Sequence, residues 1–407
     1  MGEAYERLIS RATFTNILHT KVSPLVGVQA AVMTAPRQMT TGNFPVPTIA
    51  ADSALVRMIG SAICGTDKHM YFGQTNLGLP GAVVSFPVIP GHENLGVIEA
   101  VGSRAAEQMI TEGPPLRSGD RVVVSADIVC GHCYYCRNIY GYPWCINHRS
   151  YGDVISCKNP PHLFGGWAEM MYILPGTFVF RVPEALTDEE AVLAEQMAVA
   201  YGAFGRAFQS PNSKEGYAPA DTVVIQGLGP LGLCNAFVAR MLGASRIIGI
   251  DKSEYRLRMA RELCVDEIIS VGNLKESSER VNKVFELSDN LGADLVIECT
   301  GAPNILSEGL DMLRVGGTYL VEGAFVEDAS TQVSASRQIV AKNARIIGAA
   351  GMPFQAYSRV LKMMASYKNT IRFDKAITHR FPIDQAEQGL QKSIAEDSMK
   401  VVIGSNG

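Results

Sequence analysis

The sequence predicts an α/β protein of two unlike parts, a strand-rich, barrel-like first part followed by a doubly wound parallel sheet. Three observations carry this. Between about residues 28 and 195 short apolar runs are broken by Gly, Pro and Asn, as suits the short strands of a barrel. After about residue 197 strand and helix patterns alternate, which is the signature of βαβ units. At 407 residues the chain also exceeds what one hydrophobic core ordinarily serves, so two domains are expected.

In the first part VQAAVMTAP, ALVRMIGSAICG, NLGVIEAVG and DRVVVSADIVCG read as strands, and helices are sparse. The second part opens with TVVIQG, a helix from Pro230 to about Leu242, RIIGID, a helix through Tyr255 to Cys264, and EIISV. It continues with a helix near Glu276 to Asn290, ADLVIECTG, a helix near Ile305 to Leu313, and TYLVEGA. From roughly Ala356 come an amphipathic helix near Tyr357 to Tyr367, a strand-like run with Ile377 and Phe381, a helix from Asp384 to about Ile394, and the strand KVVIG. This last segment is expected to return to the first domain, because the parallel sheet is complete without it. The expected division is 1–196, with a metal lobe at about 128–150, then 197–352, then 353–407.

Hydrophobic residues make up 47% and charged ones 19% of the chain, the balance of an ordinary globular protein. A net charge of −4 gives no electrostatic reason to expect nucleic acid or an anionic membrane as partner, which leaves small molecules. Glu3, Glu6 and Arg11 interrupt the first twenty residues, so no signal-peptide core is expected there, and no apolar run is long enough to span a membrane. The nine cysteines are therefore expected in a reducing cytoplasm, where clustered thiols mean metal more often than disulfide.

Cys130, Cys133, Cys136 and Cys145 follow the pattern CxxCxxC, eight residues, Cys. Thiolates two or three residues apart on a tight loop can close a tetrahedron around a structural Zn²⁺ without regular secondary structure to hold them. Gly131, Gly141 and Pro143 supply the turns. The competing reading, a disulfide cluster, needs an oxidising compartment that nothing else in the sequence suggests.

TVVIQ runs into Gly227, Gly229 and Gly232, spaced GxGxxG, and a helix follows at once. Such glycines allow a tight turn, close approach of backbone N–H groups to a pyrophosphate, and close helix-to-strand packing. Asp251 ends the next strand, nineteen residues after Gly232, where a carboxylate accepts from ribose hydroxyls and repels a 2′-phosphate, so NAD is favoured over NADP. Lys252 and Arg256 lie close enough to soften that preference, with plain surface charge as the alternative.

Cys64 in SAICGTDKH, His92 and Glu93 in IPGHENLG, and Glu195 in VLAEQMAVAYG are separately unremarkable, since a lone Cys or His is more often a core group. As a set they are the Cys/His/Glu donors of a catalytic zinc with an open position. An ion there lowers the pKa of an alcohol and so favours hydride departure. Thr66 can hydrogen-bond the reacting oxygen and His69 can carry a proton to solvent, although a turn-capping Thr and a surface His are the plainer alternatives.

These motifs, in this order over approximately residues 28 to 404, resemble the zinc-dependent medium-chain alcohol dehydrogenase superfamily, with its alcohol, polyol and threonine branches. The resemblance implies a GroES-like β-barrel catalytic domain plus a Rossmann domain, with the active site in the cleft between them. It puts Cys64 and His92 on the catalytic zinc, and Thr66 and His69 in a proton relay. Glu195 stands where the polyol branch has a glutamate and the alcohol branch a cysteine, and Glu93 where the family either ligates directly or exchanges with water. It further implies cofactor contacts from Gly227, Gly229, Pro230, Leu231 and Gly232 in GLGPLG, from Thr300 and Gly301 in ECTGAP, and from Lys400 near the pyrophosphate.

The last gap in the zinc lobe is one residue longer than is usual in the family, with Cys157 as a fallback ligand. Segments Thr75 to Phe86 and Ser103 to Leu116, and an N-terminal extension of some 25 residues, are additions. The expected activity is hydride transfer between a secondary alcohol or polyol-like substrate, or the ketone in reverse, and NAD, with two Zn²⁺ per chain and a homodimer or homotetramer as assembly. The competing readings are a zinc-free double-bond reductase of the same fold and a non-catalytic, redox-sensing NAD binder.

Overall fold

Apolar runs bounded by glycine and proline pair into one curled sheet in the first part of the chain. A computed structural model describes residues 27–77, 82–105, 109–138, 145–147, 149–208, 215–302, 304–323 and 330–404. The N-terminal extension, residues 78–81 and 106–108 of the two insertions, and 139–144 and 148 of the cysteine lobe lie outside the described residues.

The hairpin β1 (Val28–Ala35) and β2 (Gln38–Phe44) precedes β3 (Ala54–Ala62), and β3 runs into the short helix α1 (Gly65–Tyr71). Then come β4 (Glu93–Val101), β5 (Arg121–Ile128), the short helix α2 (Tyr134–Asn138), β6 (Arg149–Ser150), β7 (Met170–Ile173) and β8 (Thr177–Arg181). Strands β3, β4, β5 and β6 are antiparallel neighbours, with β7 added to β3 and β8 to β5. The sheet closes on Val56, Met58, Ile98, Val122, Val124 and Met171, all buried. This is the GroES-like half-barrel that the resemblance implied.

Two helices lead out of it: α3 (Asp188–Ala191), capped by Thr187, and α4 (Ala194–Ala207). The sequence reading assigned neither. A helix apolar on nearly every face gives no amphipathic stripe, and ten of the fourteen residues of α4 are buried.

The second domain follows the predicted alternation. Its elements are β9 (Thr222–Gln226), α5 (Pro230–Met241), β10 (Arg246–Asp251), α6 (Glu254–Leu263), β11 (Glu267–Ser270), α7 (Ser277–Leu287), β12 (Ala293–Glu298), α8 (Ile305–Met312), β13 (Leu313–Val321) and β14 (Arg345–Gly348). All pairs are parallel, in the order β11-β10-β9-β12-β13-β14. The order reverses between β9 and β12, and ligands of open α/β sheets bind outside the strand ends at such a switch point. The sequence reading omitted β14, an edge strand whose residues alternate between half-buried and exposed.

The C-terminal segment supplies α9 (Gln355–Tyr367), β15 (Ile377–Pro382), α10 (Ala386–Ile394) and β16 (Lys400–Gly404). Strand β16 pairs antiparallel with β3 and parallel with β15, extending the half-barrel sheet. Stacking of Phe178 on Phe354 at 3.7 Å and of Phe180 on Tyr357 at 4.9 Å docks the start of α9 onto β8.

Candidate active site and metal centres

Helix α1 starts directly after β3, and its cap assembles part of the site. Asp67, fully buried, sits three residues past the N-cap Cys64 and accepts the Cys64 backbone N–H through Oδ2 at 2.8 Å. Its Oδ1 lies 3.4 Å from the Gly91 N–H and 3.7 Å from His92 Nδ1. One carboxylate thus fixes the start of α1 and the loop that carries His92. The sequence reading missed Asp67, although an acidic residue three positions past a helix start is a capping signal.

The donor atoms of Cys64, His92 and Glu93 come together within 4.8 Å of one another. Glu195, expected as a fourth member, is not in that group; it lies on the first turn of α4 and lines the same cavity. Burial, followed by the charge of Glu93, raises the Glu195 carboxyl to about 7. Burial disfavours charge on His92, but Asp67 and Cys64 outweigh it and raise its pKa well above the usual value. Glu93 is fully buried; Oε1 accepts from Lys400 Nζ at 2.5 Å, while Oε2 has no hydrogen-bond partner. A buried orphan acceptor beside a thiol and an imidazole fits a cation. Lys400, placed near the pyrophosphate by resemblance, is itself buried, with Nζ held by Glu93 and by Gln196 Oε1 at 2.9 Å.

Thr66 and His69 lie one turn apart on α1 and both line the cavity. Thr66 Oγ1 is 3.8 Å from Cys64 Sγ, and His69 Nδ1 is hydrogen-bonded to Gln74 Oε1.

Across the cavity stands the glycine loop between β9 and α5. Gly227 has φ +92°, and a Cβ there would meet Thr300 Cγ2 at 2.5 Å; one on Gly232 would meet the Gly227 carbonyl oxygen at 1.8 Å. Side chains at these two places would close the cradle, so its open N-terminal turn fits a pyrophosphate. Gly229, Pro230, Leu231, Arg256 and Thr300 line the same space. Asp251 ends β10 and accepts the backbone N–H of Leu228 at 2.6 Å and of Ser253 at 2.8 Å. Lys252 is exposed and pairs with Glu396 at 3.4 Å, so it stands as surface charge. Gly301, at φ +68°, follows Thr300, and both backbone N–H groups bind Glu298 Oε1. The cavity, about 360 Å³, takes walls from both domains and includes Asp127, Asp153 and Lys68, none of which the sequence reading singled out.

In the lobe, the sulfurs of Cys130, Cys133, Cys136 and Cys145 also lie within 4.8 Å of one another. The Cys145 thiol accepts the Cys130 N–H at 3.4 Å and the Cys133 thiol the Cys136 N–H at 3.5 Å. Burial opposes charge on Cys130, but N–H groups of His132 and Cys133 outweigh it and bring the thiol down to about 6, whereas burial lifts Cys136 to about 12. Four converging sulfurs, with both the Cys130 and Cys133 thiols lowered by backbone N–H groups, fit a closed zinc site. Cys157, the fallback ligand, stands apart and donates to the Pro87 carbonyl at 3.3 Å.

Two family descriptions match the chain: an alcohol dehydrogenase GroES-like domain over residues 50–184 and a zinc-binding dehydrogenase domain over 230–366. The chain is 31% identical over 383 residues to 5-exo-hydroxycamphor dehydrogenase of Pseudomonas putida, covering 93% of this chain and 98% of that one. It is 29% identical over 366 residues to L-threonine 3-dehydrogenase of Yersinia pestis, covering 89% and 94%. Among solved structures, an alcohol dehydrogenase from Thermotoga maritima superposes with a TM-score of 0.84 at 30% identity, covering 94% of this chain and all 100% of that one. The alcohol dehydrogenase of Thermus sp. ATN1 gives 0.75 at 27%, covering 93% and 100%. With two matched domains and a similarity that runs nearly end to end, this oxidoreductase belongs to the zinc-binding, medium-chain alcohol dehydrogenase superfamily.

Proposed function

We propose that the protein oxidises a secondary alcohol or polyol-like substrate to the ketone, or reduces that ketone, with NAD and two zinc ions per chain. The observation that carries this is the convergence of Cys64, His92 and Glu93, of which Cys64 and His92 line one cavity with the glycine loop. When bound, the metal supplies a Lewis acid for the carbinol oxygen and the dinucleotide supplies the hydride acceptor.

The chain's own groups orient the substrate and move the proton. Asp67 holds the Cys64 and His92 loops at fixed separation. Lys400 holds Glu93 and balances its charge where both side chains are buried. The Thr66 hydroxyl accepts the proton of the substrate oxygen as it releases its own toward the His69 end of α1. His69, whose Nδ1–H is taken by Gln74, receives that proton at Nε2 and delivers it to solvent. A zinc-free reductase or a redox sensor would leave this relay and the Cys64 cluster without a use.

Asp251 supports NAD as the cofactor, because its carboxylate lies at the end of β10 where a 2′-phosphate would be repelled. The edge strand β14, with Ile346 41% exposed, and the nearby Val340, 71% exposed, support a homo-oligomer built on this side of the sheet. The test is steady-state kinetics across secondary alcohols and polyols with NAD and NADP, for the wild type and Asp251→Ser. The expected result is a preference for NAD that falls about tenfold or more in the variant; an unchanged ratio of kcat/KM for the two cofactors would contradict the role of Asp251.

A further inference from the structure

Asp127 is 6% exposed and lines the cavity; its backbone N–H is bonded to Ser125 Oγ, and among the described residues no donor lies within hydrogen-bond distance of its carboxylate. It sits near the end of β5, directly opposite Ser150 of β6 in the antiparallel register. Residues so opposed project to the same face, and both line the cavity that holds Cys64, His92 and Glu195. Asp153 completes this wall, with Oδ1 accepting from Ser150 Oγ and, at 2.5 Å, from the Val154 N–H. The titratable groups that act on Asp127 are Asp153, Glu195 and His92, the last a member of the candidate metal cluster, while Lys68 and Arg256 line the same cavity. Burial first, and then Asp153, push the Asp127 carboxyl well above its ordinary range. An acceptor on a cavity wall loses its water when a substrate closes over it and is then left unpaired unless the substrate supplies a donor.

We propose that Asp127, backed by Asp153, recognises the substrate by accepting a hydrogen bond from a second donor, an additional hydroxyl or an ammonium, close to the carbinol carbon. This rests on reading the cleft as an alcohol dehydrogenase site and narrows its substrate class. A site built to bond such a donor rejects the analogue lacking it, because the buried acceptor is then left unpaired.

The test uses matched sets of secondary alcohols on linear and cyclic skeletons, each bearing no second donor, a vicinal hydroxyl or a vicinal amine. The wild type should favour a donor-bearing member over the simple alcohol by about a hundredfold or more in kcat/KM. Asp127→Leu should bring that ratio close to one. Asp127→Asn keeps an acceptor without the charge, so it should preserve most of a hydroxyl's advantage and remove an amine's, which separates the two donors. Melting temperature and NADH binding of both variants establish that they fold. Simple alcohols turned over as well as the donor-bearing ones, or a ratio unmoved in Asp127→Leu, would overturn the inference and leave the dehydrogenase reading standing. Absence of turnover with every set would overturn that reading and this inference together.

Discussion

Glu322 shows how far a single side chain here departs from its behaviour in water. It follows β13, lines the cofactor side of the cavity, and accepts from Asn235 Nδ2 at 2.6 Å through Oε2, while Oε1 is buried without a partner. Burial raises its carboxyl from the ordinary value near 4.5 to about 8. Between those two values the folded chain keeps a proton that the unfolded chain has lost, so stability falls as pH rises through the window and levels off above about 8. Replacing Glu322 with Gln keeps the acceptor for Asn235 and removes the titration. Melting curves from pH 5 to 8 should therefore decline less steeply for Glu322→Gln than for the wild type, by several degrees across the range; parallel curves would contradict the raised carboxyl. At this scale the sequence was legible where chemistry restricts the choice of residue. Few side chains ligate zinc, so Cys64, His92 and the four lobe cysteines stood out. A lone Asp in a strand, such as Asp127, has many ordinary uses, and only the pairing of β5 with β6 brings it to Ser150 and Asp153.

Among the elements, those with a strong local period were readable and those shaped by their neighbours were not. The βαβ units from β9 to β13 declare themselves through apolar runs, the glycine turn and Pro230 at the first turn of α5. Strand β2, QMTTGNF, and strand β14, RIIG, are partly exposed and lack the continuous apolar run of a central strand. Their pairing with β1 and β13 defines them. The cysteine lobe is the opposite case: among its described residues from 129 to 147 only Cys133 and Cys145 are buried. Its helix α2 is five residues long and buries none of them, so packing cannot hold it in place. A metal held by the four sulfurs would then act as its core. Cys145→Ser should lower the melting temperature by on the order of 10 °C and remove one zinc per chain, as read by calorimetry and metal analysis. A melting temperature equal to that of the wild type would show that the lobe folds without its metal.

At the scale of the whole molecule, one hydrophobic cluster runs from the half-barrel into the nucleotide domain. It joins Leu95 and Val123 of the first sheet, Met197 and Phe204 of α4, Val223 and Ile225 of β9, and Tyr357 and Leu361 of α9. This shared core sets the two halves of the site at a fixed spacing, with the metal cluster on one side and the glycine cradle on the other. Both halves could be read from the sequence as motifs, whereas the distance between them is a product of how α4 and α9 pack, and of these two only the amphipathic α9 has a local pattern. On the proposed function, Cys64, His92 and Glu93 hold an ion that faces the dinucleotide across this cleft. This is tested most directly by measuring zinc per chain, NADH binding and alcohol turnover on wild-type protein and Cys64→Ser. The wild type should hold two zincs per chain and the variant one, with NADH binding kept and turnover lowered by about a thousandfold or more. A Cys64→Ser protein that retains both zincs and full turnover would contradict it.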